Sequence, residues 1–496
     1  MSANAVQRFV IDPGNQAPDR VAVIDAPTGQ RVTCSQLLAG VERAAVTLAA
    51  AGLEPEQRVM LVLADRASFL HWFWGAMWIG AVPVPVSTML SEKDYRFLLE
   101  DSRAAGLIHS AEFAASAGAA SVGQPFLRWS WQDGDEEEVA TGPAPDSFPA
   151  IADDTAFWLY TSGTTGFPKA AMHRHVDLSF CTDAYADVVL DMNESDVVYS
   201  VAKLFFAYGL GNAGYFPAAT GATAVLNPGR PVAGEVAEHV RTYRPTLFFG
   251  VPTFFAGLLA SELPADTFES LRLAVSAGEP LPADLHRRFL DRFGVEILDG
   301  IGTTELAHIF ISNRPGRSVG GSTGTAVDGY EIEIRGEDGA VVPDGEPGQL
   351  FVAGESVMTG YWNRTDRNRQ ALQGRFLATG DSYQRNPDGT YICLGRTDDM
   401  LKVGGIWVSP AEVEACIVEL PEVIQAAVVG ATDDQDLVKP KAFVVPAEGV
   451  DREALVGQVQ AHVKSTLAPY KYPRWVDVVD ELPQTATGKI KRYLLR

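Results

Sequence analysis

The chain has 496 residues, more than one hydrophobic core ordinarily serves, so we expect at least two domains. Its 46% hydrophobic content is typical of a globular protein, and its net charge of −23 argues against nucleic acid or an anionic membrane surface as the main partner. Four scattered cysteines without a CxxC pair predict neither a zinc site nor a disulfide framework, and they suit the reducing cytoplasm.

The N-terminal part of the chain carries alternating strand and helix patterns. Residues 20–45 predict a short strand pair and then a helix from about Ser35, and residues 58–65 (RVMLVLAD) predict a buried strand before a helix over 67–80. The run AGLIHS predicts a further strand. This alternation is typical of a parallel sheet with helices on its faces. Residues 132–152 are acidic and rich in proline and glycine, so we expect a surface loop there.

One apolar run, residues 69–86 (FLHWFWGAMWIGAVPVPV), has the length of a membrane-spanning helix. Pro83 and Pro85 would end any helix near Ala81, which leaves too few residues to span a bilayer. We therefore expect a buried helix followed by a short strand. The N-terminus lacks the charged and apolar zones of a signal peptide, and a cytoplasmic protein is expected.

Strand and helix patterns resume after residue 155. Four apolar runs end in small or turn-forming residues and predict strands: ATAVLN (222–227), TLFFGV (246–251), LRLAVSAG (271–278) and EILDGIG (296–302). Ligands of open parallel sheets gather at the carboxyl ends of the strands. A binding site is therefore expected just beyond these runs.

The pattern changes near residue 320. Short strands with Gly and Asp turns over 320–360, such as YEIEIRG and GQLFVAG, predict an antiparallel arrangement. A second change falls near residue 395, where Gly395–Lys402 predicts a linker. The turn, helix and two strands beyond it predict a small α+β unit.

A glycine-rich stretch, YTSGTTGFPK (160–169), follows the apolar run AFWLY. Its backbone N–H groups can form an anion-binding nest, and Lys169 adds a mobile positive charge. Four residues add hydroxyl donors: Thr161, Ser162, Thr164 and Thr165. These features suit a polyphosphate, although the Gly-Lys-Ser/Thr ending of a P-loop is absent. A surface loop of small polar residues is the alternative.

Four ordered motifs resemble those of the adenylate-forming superfamily, which includes acyl- and aryl-CoA ligases, peptide-synthetase adenylation domains and firefly-type luciferases. They are YTSGTTGFPKAAMH, DGIGTTE (299–305), ATGD (378–381) with YICLGRTDDMLKVGG (391–405), and PQTATGKIKR (483–492). The resemblance covers nearly the whole chain. Two further stretches, KLFFAYGLGNA (203–213) and GTTELAHIFISNR (302–314), are most similar to the benzoate-type aryl-CoA ligases.

This resemblance implies an α/β fold with two domains. A large N-terminal AMP-binding domain (1–395) would comprise two α/β subdomains and a small β-barrel-like subdomain, and a hinge (396–402) would join it to a small mobile α+β C-terminal domain (403–496). The implied small molecules are ATP, Mg²⁺, coenzyme A and an aromatic carboxylic acid. No nucleic acid or membrane partner is expected, and the protein is expected to be a monomer or a homodimer.

The implied reaction has two halves. A carboxylate attacks the α-phosphorus of ATP, giving an acyl-adenylate and pyrophosphate, and the thiol of coenzyme A then displaces AMP. Lys489 would bridge the carboxylate and the α-phosphate, because placed positive charge favours this transition state. Thr304 would donate to the α-phosphate, and Glu305 would be the protein ligand of Mg²⁺, a hard cation that suits carboxylate oxygen.

The remaining nucleotide-binding residues are also assigned by resemblance. They comprise the glycines of the phosphate loop, the adenine-lining residues and a ribose-binding pair: Gly163, Gly166, Ala277, Gly278, Glu279, Pro280, Asp299, Gly300, Ile301, Asp381 and Arg396. Arg396 could instead form a hinge-side salt bridge. AVSAG (274–278) nearly matches the hydrolase motif G-x-S-x-G, but Ala274 replaces the first glycine and no Asp and His are evidently placed to activate Ser276.

The resemblance to benzoate ligases predicts a flat acid pocket suited to an aromatic ring. Its two walls would be formed by Ala207 and Tyr208 and, opposite them, by Gly302, His308 and Ile309. Core packing is the alternative for FFAYGLGN and accounts for Phe205. His308 either hydrogen-bonds a ring substituent or fills space. His173 and His175, which follow the phosphate loop, are expected to cap or pack its helix.

The second half-reaction requires Lys489 to leave the site. In the family the C-terminal domain swings about a hinge residue, matched here by Asp398, and the loop KVGGIW (402–407), which ends in Trp407, then approaches. Gly404 and Gly405 would leave a tunnel for the pantetheine arm, because they have no side chain to block it. An ordinary β-turn is the alternative. Basic residues that could contact the CoA phosphates, or be ordinary solvated charges, are Lys439, Lys441 and Lys471.

Four hypotheses follow from these motifs. The leading one is an ATP-dependent aryl-CoA ligase for benzoate or a substituted benzoate. The same fold could instead load the phosphopantetheine arm of an acyl carrier protein, because the tunnel serves both acceptors. An aliphatic or amino-acid substrate is less favoured, since no Asp stands in the FFAYG region to meet an ammonium group. A non-catalytic nucleotide-binding protein is disfavoured by the presence of Lys489, Glu305 and Asp381.

Overall fold

The computed structural model describes residues 3–134, 142–161, 168–403, 406–433, 437–483 and 490–496, without the side chains of residues 406, 407 and 493. Strands and helices are numbered in chain order. The chain folds into a large part of mixed α/β structure and a small C-terminal part. The α/β fold class implied by the sequence is therefore confirmed.

A nine-stranded sheet forms the centre of the large part. Its spatial order is β15 (Thr325–Ala326), β14 (Ile309–Ser312), β13 (Ile297–Gly302), β12 (Leu273–Ser276), β11 (Leu247–Gly250), β9 (Val197–Ser200), β10 (Thr223–Leu226), β1 (Val21–Asp25) and β2 (Arg31–Thr33). The strands from β13 to β1 are parallel to one another, and β2, β14 and β15 run antiparallel to their neighbours. The strands predicted after residue 155 are thus confirmed.

Two smaller sheets complete the α/β portion. One is parallel, in the order β4 (Val82–Pro85), β3 (Arg58–Val62), β5 (Gly106–His109) and β6 (Trp129–Gln132). The other is antiparallel, in the order β18 (Gly360–Tyr361), β8 (Lys169–Arg174) and β7 (Thr155–Thr161). The two sheets share one core, because Trp158 and Ala170 pack with Met60 and Val84.

Helices cover the faces of these sheets and of the C-terminal part. Their bounds are α1 Asp12–Gln16, α2 Cys34–Ala50, α3 Ala67–Trp78, α4 Glu92–Ser102, α5 His175–Cys181, α6 Ala207–Leu210, α7 Phe216–Thr220, α8 Ala233–Tyr243, α9 Pro252–Ala260, α10 Ala283–Phe293, α11 Thr365–Ala371, α12 Pro410–Ile417 and α13 Arg452–Thr466. A capping box of Thr33 and Gln36 fixes the start of α2, close to the predicted Ser35.

The apolar run over residues 69–86 forms most of α3 and then β4, as predicted. The helix ends at Trp78, and Gly80 turns the chain with a φ of +77°, a left-handed conformation that favours glycine. Every residue of β4 is buried. Within the part of the chain that the structure describes, every helix is too short or too polar to cross a bilayer.

A five-stranded antiparallel sheet follows the nine-stranded one in the chain. Its order is β16 (Glu331–Arg335), β17 (Pro347–Ala353), β20 (Phe376–Arg385) and β19 (Leu372–Gln373), with β21 (Tyr391–Arg396) also paired to β20. The antiparallel arrangement predicted for YEIEIRG and GQLFVAG is confirmed. The sheet places Asp381 opposite Arg396 in adjacent strands.

The C-terminal part begins with a hairpin of β22 (Leu401–Val403) and β23 (Ile406–Val408), so strand structure starts inside the predicted linker. A sheet of β24 (Val423–Thr432), β25 (Val438–Pro446) and β26 (Trp475–Val478) follows, packed against α12 and α13. These elements enclose a small core of their own, from Leu401 to Val476. The domain boundaries and the mobility of this part remain predictions.

Candidate active site

The carboxyl ends of β12 and β13 bring two predicted nucleotide-binding segments to one edge of the large sheet. The two strands are parallel, with Ser276 opposite Asp299. Residues 277–280 and Gly300–Gly302 therefore lie side by side. Gly278 has a φ of +97°, which L-side chains rarely adopt, so the turn after β12 favours glycine there.

Asp299 is the most deeply buried carboxyl group of this edge. Burial raises its pKa well above the usual range, against the opposing effect of backbone hydrogen bonds from Leu281 and Gly300. Its Oδ1 atom has no hydrogen-bond partner among the described residues. A buried polar atom of this kind is suited to meeting the polar edge of a ligand. The observation fits the predicted adenine-lining role of Asp299.

Glu305 stands in a short 3₁₀ turn, Thr304–Leu306, directly after β13. Its Oε1 accepts a hydrogen bond from the Tyr361 hydroxyl at 2.6 Å, and its Oε2 accepts one from the Thr303 hydroxyl. Tyr361 belongs to β18, the strand paired with β8. The carboxylate is thus held between the large sheet and the hairpin that carries the predicted phosphate loop.

Lys169 opens β8 opposite Thr161, the last residue of β7. Its ammonium lies 4.2 Å from the centroid of the Tyr361 ring. Burial lowers the pKa of Lys169, Glu305 opposes that shift, and Arg367 and Arg396 add to it. Lys169, Glu305 and Arg396 therefore share one electrostatic neighbourhood, as expected of a site for a polyphosphate.

The donor set around Glu305 fits a magnesium ion. One carboxylate beside the Thr303 hydroxyl is an oxygen-only set, and Mg²⁺ commonly takes one or two carboxylates and completes its shell with water and substrate phosphates. Glu305 is the residue that would hold the ion, with Lys169 nearby to share the phosphate charge.

The predicted ribose-binding pair lies on β20 and β21. Arg396 Nη1 donates to Asp381 Oδ1 at 3.1 Å and to the Thr379 carbonyl at 3.0 Å. Gly380 leaves room for this guanidinium, because a Cβ atom there would lie 2.5 Å from Arg396 Nη2. The Asp381 side chain keeps 17% of its surface exposed, so it can still accept from a ligand. Arg396 forms a salt bridge, but its partner is the predicted ribose-binding carboxylate.

The predicted acid-pocket residues also come together. Tyr208, in α6, donates its hydroxyl to the Val275 carbonyl at 3.1 Å, and its ring centroid lies 5.7 Å from that of His308. Gly302 pairs with Ile309 across β13 and β14, and a Cβ at Gly302 would lie 2.7 Å from the His308 carbonyl. Ala207 is buried at the start of α6.

His308 fills a polar niche inside this aromatic cluster. Its Nε2 lies 3.0 Å from Asn212 Oδ1, and burial lowers its pKa to about 3, so the ring is neutral. Gly211 gives it space, since a Cβ there would lie 2.3 Å from the imidazole. Asn212 Nδ2 is buried without a hydrogen-bond partner among the described residues. His308 thus bonds a protein amide, and Asn212 retains a donor.

Several predicted residues lie outside the described ranges. These are the loop residues Ser162, Gly163, Thr164, Thr165 and Gly166, the tunnel residues Gly404 and Gly405, and Lys489. The backbone of Trp407 is in β23. Asp398 is exposed in the 3₁₀ turn Thr397–Asp399.

Near the C-terminal end, burial lowers the pKa of Arg492, but the negative charges of Glu414, Asp399 and Glu279 outweigh this effect and raise that pKa overall.

The structure also bears on the alternative roles that the sequence left open for a serine, an aromatic residue, a histidine and two lysines. Ser276 is fully buried, and its hydroxyl has no partner in the described part of the chain, so no base activates it as a nucleophile. Phe205 is a core residue, as predicted. His175 accepts a hydrogen bond from the Ala5 amide at 3.1 Å, which agrees with a packing role. Lys441 pairs with Asp477, and Lys471 with Glu412.

The four cysteines are free thiols. Cys416, Glu419 and His462 present ligand atoms within 4.8 Å of one another on the C-terminal part. His462 Nε2 already lies 3.0 Å from Glu419 Oε2, burial raises the pKa of the Cys416 thiol, and Thr466 hydrogen-bonds it. His462 and Glu419 therefore contact each other, and the Cys416 thiol bonds Thr466.

Sequence reasoning missed the residues that support the site. Tyr361 and Asn212 are among them, and their roles depend on contacts between distant elements. Asp65 is another: its buried carboxylate accepts from the Leu204 amide at 3.2 Å and attracts Lys203, fixing the segment that leads to α6. The only sequence signal was the position of Asp65 at the end of the predicted buried strand 58–65.

The fold defines an adenylate-forming enzyme. The chain matches the AMP-binding enzyme family over residues 12–362 and the AMP-binding enzyme C-terminal domain over residues 412–489. It belongs to the AMP-binding enzyme family.

Three relatives illustrate its place in the family. The chain is 44% identical over 494 residues to the 4-hydroxybenzoate-CoA/benzoate-CoA ligase of Rhodopseudomonas palustris, covering 96% of this chain and 90% of the relative. A crystal structure of a benzoate CoA ligase from Burkholderia xenovorans LB400 matches with a TM-score of 0.93 and 41% identity, covering both chains completely. An anthranilate CoA ligase in complex with anthranoyl-AMP matches with a TM-score of 0.94 and 37% identity, covering 100% of this chain and 97% of the other.

Proposed function

We propose that the protein is an ATP-dependent aryl-CoA ligase. It joins benzoate or a substituted benzoate to AMP with release of pyrophosphate, and then transfers the acyl group to coenzyme A. The observation that carries this proposal is the hydrogen bond from Tyr208 to the carbonyl of Val275, which attaches the aromatic pocket wall to the strand that ends in the adenine-lining segment. Acid and nucleotide would therefore meet at one sheet edge.

The first half-reaction brings together two anions, the aryl carboxylate and ATP. A carboxylate oxygen forms a bond to the α-phosphorus while the bond to pyrophosphate breaks. Lys489 would place its ammonium between the carboxylate and the α-phosphate, and the Thr304 hydroxyl would donate to the same phosphate. Lys169, together with the phosphate loop, would hold the departing pyrophosphate. The closeness of Lys169, Glu305 and Arg396 supports this division of roles.

Glu305 would hold Mg²⁺, which when bound supplies charge neutralisation to the phosphates. Tyr361 and Thr303 orient the Glu305 carboxylate by donating to its two oxygens. Asp381 would accept from the ribose hydroxyls, and Arg396 would keep its carboxylate in place. Residues 277–280 and Asp299–Ile301 would line the adenine.

The second half-reaction needs a thiol where Lys489 stood. We propose that the C-terminal domain rotates about Asp398, which lies in an exposed turn between β21 and β22. The loop with Gly404, Gly405 and Trp407 would then border the pantetheine arm. The CoA thiolate attacks the acyl carbon, and the bond between that carbon and the AMP oxygen breaks.

Two assays can identify the thiol that accepts the acyl group and the ring substituents that the enzyme tolerates. Pyrophosphate exchange into ATP should be supported by at least one acid in a panel of benzoic, hydroxybenzoic, aminobenzoic and cinnamic acids. Mass spectrometry after addition of free CoA should then detect the corresponding thioester. Adenylate formation without a CoA thioester would favour a carrier-protein acceptor, and no exchange with any acid would contradict the proposal.

The free thiols of the chain agree with a cytoplasmic location.

A further inference from the structure

His173 occupies an unusual position between the phosphate-loop hairpin and the turn that carries Glu305. Its side chain is fully buried in β8. Nδ1 lies 3.0 Å from Asp177 Oδ2, and Nε2 lies 2.8 Å from the backbone carbonyl of Thr304. The ring stacks on Phe157, with centroids 5.0 Å apart and an interplanar angle of 18°. The ring therefore has a fixed orientation with both nitrogens engaged.

Both neighbours of the ring are hydrogen-bond acceptors. The Asp177 carboxylate and the Thr304 carbonyl each offer lone pairs, whereas a neutral imidazole has one N–H group and one lone pair. Both short contacts are hydrogen bonds only when both nitrogens carry hydrogen. Because a buried charge needs a partner, the adjacent Asp177 carboxylate is what makes an imidazolium tolerable here.

The Asp177 carboxylate is itself held in place by further hydrogen bonds and ion pairs. Asp177 Oδ2 also accepts from the Arg174 amide at 3.0 Å, and Arg174 pairs with Asp153 and Glu355 as well as with Asp177. Three carboxylates thus surround one guanidinium on this side. On the other side, the turn carries Glu305, whose charge raises the pKa of Lys169 in β8 against the effect of burial. Phe157 contributes an uncharged face.

We propose that His173 is a positioning residue: as an imidazolium it ties the Thr304 carbonyl to Asp177 and so fixes the turn Thr304–Leu306 against the β7–β8 hairpin. Thr304 and Glu305 are then held at a constant distance from the loop that begins at Thr161. This inference rests on the roles proposed above for Thr304 and Glu305 in adenylation. It assigns His173 to neither substrate nor metal binding.

Three substitutions separate the two hydrogen bonds. In His173→Gln the amide nitrogen can reach the position of Nε2 and donate to Thr304, whereas in His173→Asn it reaches only the position of Nδ1. His173→Leu removes both bonds. Exchange of pyrophosphate into ATP should lose about 10- to 100-fold in kcat in the Asn and Leu variants, as is common when a supporting partner is removed, and the Gln variant should recover part of the loss.

The KM for the aromatic acid should change little in these variants, and the Mg²⁺ concentration that gives half the maximal rate should rise. Asn and Leu variants with wild-type kcat, or a Gln variant no better than Leu at equal melting temperature, would overturn the inference. An inactive wild-type protein would instead count against the proposed function, and the measurement of ring protonation would still test His173.

Nitrogen-15 NMR of protein labelled at its histidine rings gives that direct measurement. At neutral pH a signal from two protonated nitrogens of one ring should be present, and it should disappear in His173→Gln. Asp177→Asn keeps an acceptor oxygen but removes the negative charge, so it should convert the same ring to its neutral form. A His173 ring that is neutral in the wild-type protein would refute the proposal, whether or not the substituted proteins fold.

Discussion

The hydroxyl of Tyr361 donates to Glu305 at 2.6 Å while the ammonium of Lys169 lies over the same aromatic ring, 4.2 Å from its centroid. The Tyr361 side chain thus contacts both the Glu305 carboxylate and the Lys169 ammonium, which are proposed to act on the same polyphosphate. Burial, reinforced by Glu305, raises the pKa of Tyr361 far above its ordinary value, so the phenol remains a donor at any working pH.

Tyr361→Phe should therefore impair adenylation without unfolding the protein. The ring under Lys169 is kept, but Glu305 loses one of its two orienting donors, and we expect kcat to fall about tenfold with a higher requirement for Mg²⁺. Tyr330→Phe is a matched control, because it removes a buried hydroxyl that bonds Ser356, whereas the Glu305 carboxylate accepts from Thr303 and Tyr361 among the described residues. Equal behaviour of the two variants in a magnesium titration would contradict the assigned role.

Lys489→Ala should separate the two half-reactions. The charge between carboxylate and α-phosphate matters only in adenylation, so pyrophosphate exchange should fall by at least about 100-fold. Thioester formation from supplied aryl-AMP should fall much less. Lys491→Ala, a nearby cation of the same segment, is the control. The assignment would be wrong if both half-reactions declined to the same extent in the Lys489 variant.

Gly405→Leu should have the opposite effect. A side chain in the proposed tunnel would obstruct the pantetheine arm, so thioester formation should fall about 100-fold or more while pyrophosphate exchange is retained. Gly457→Leu provides a control in the same part of the chain, because a Cβ at Gly457 would meet no atom of the described residues within 4 Å. A defect in pyrophosphate exchange alone would exclude the tunnel.

Gly211→Ala should change the acid pocket selectively. A Cβ at this position would lie 2.3 Å from the His308 ring, so the ring must move and the pocket must narrow. We expect kcat/KM for the aromatic acid to fall about tenfold or more, with little change in the KM for ATP. Gly214→Ala is the matched control, since its Cβ would meet an ordinary contact of 3.4 Å. Similar losses for both variants would mean that His308 does not shape the pocket.

Asp65 should make stability depend on pH. Burial raises its pKa from 3.8 to about 6, against the attraction of Lys203 and the bond from the Leu204 amide. Because the folded pKa lies above the unfolded one, the folded state binds the proton more tightly, and stability falls as pH rises through this interval. Relative to Asp65→Asn, the wild-type free energy of unfolding should decline by up to about 3 kcal/mol between about pH 4 and pH 6.

The measurement is chemical denaturation of both proteins over that pH range. Groups that titrate independently of Asp65 contribute equally to both curves, so they cancel in the difference. A difference that stays constant with pH, or that grows in favour of the wild-type protein as pH rises, would show that the Asp65 carboxyl is not held in its protonated form.

The sequence predicted the elements that carry strong local signals. Alternating strands and helices, the proline-limited helix before β4 and the antiparallel strands β16 and β17 are each encoded within a few consecutive residues. Strands β22 and β23 were not predicted, because the first begins inside the predicted linker and the second lies where a turn was predicted. Packing against the C-terminal core, rather than local propensity, stabilises them.

In the candidate site, too, some contacts could be predicted from local motifs and others depend on tertiary packing. Asp381 and Arg396 could be paired by motif, and the register of β20 and β21 brings them together. The contacts of His173 could not be foreseen, because one partner is a backbone carbonyl 131 positions further along the chain. The unpaired Nδ2 donor of Asn212 could not be foreseen either, because it depends on how a helical segment packs against the turn before β14. Tertiary packing, not pattern, decides these contacts.

The separate core between Leu401 and Val476 has a consequence for how heat unfolds the protein. A unit with its own apolar interior can melt by itself, so calorimetry should record a smaller endotherm for this lobe in addition to the main one. Ligands that bridge both lobes would merge the two peaks, since each would then melt only with the other. A single midpoint quoted for the apo chain would average over two distinct cooperative events.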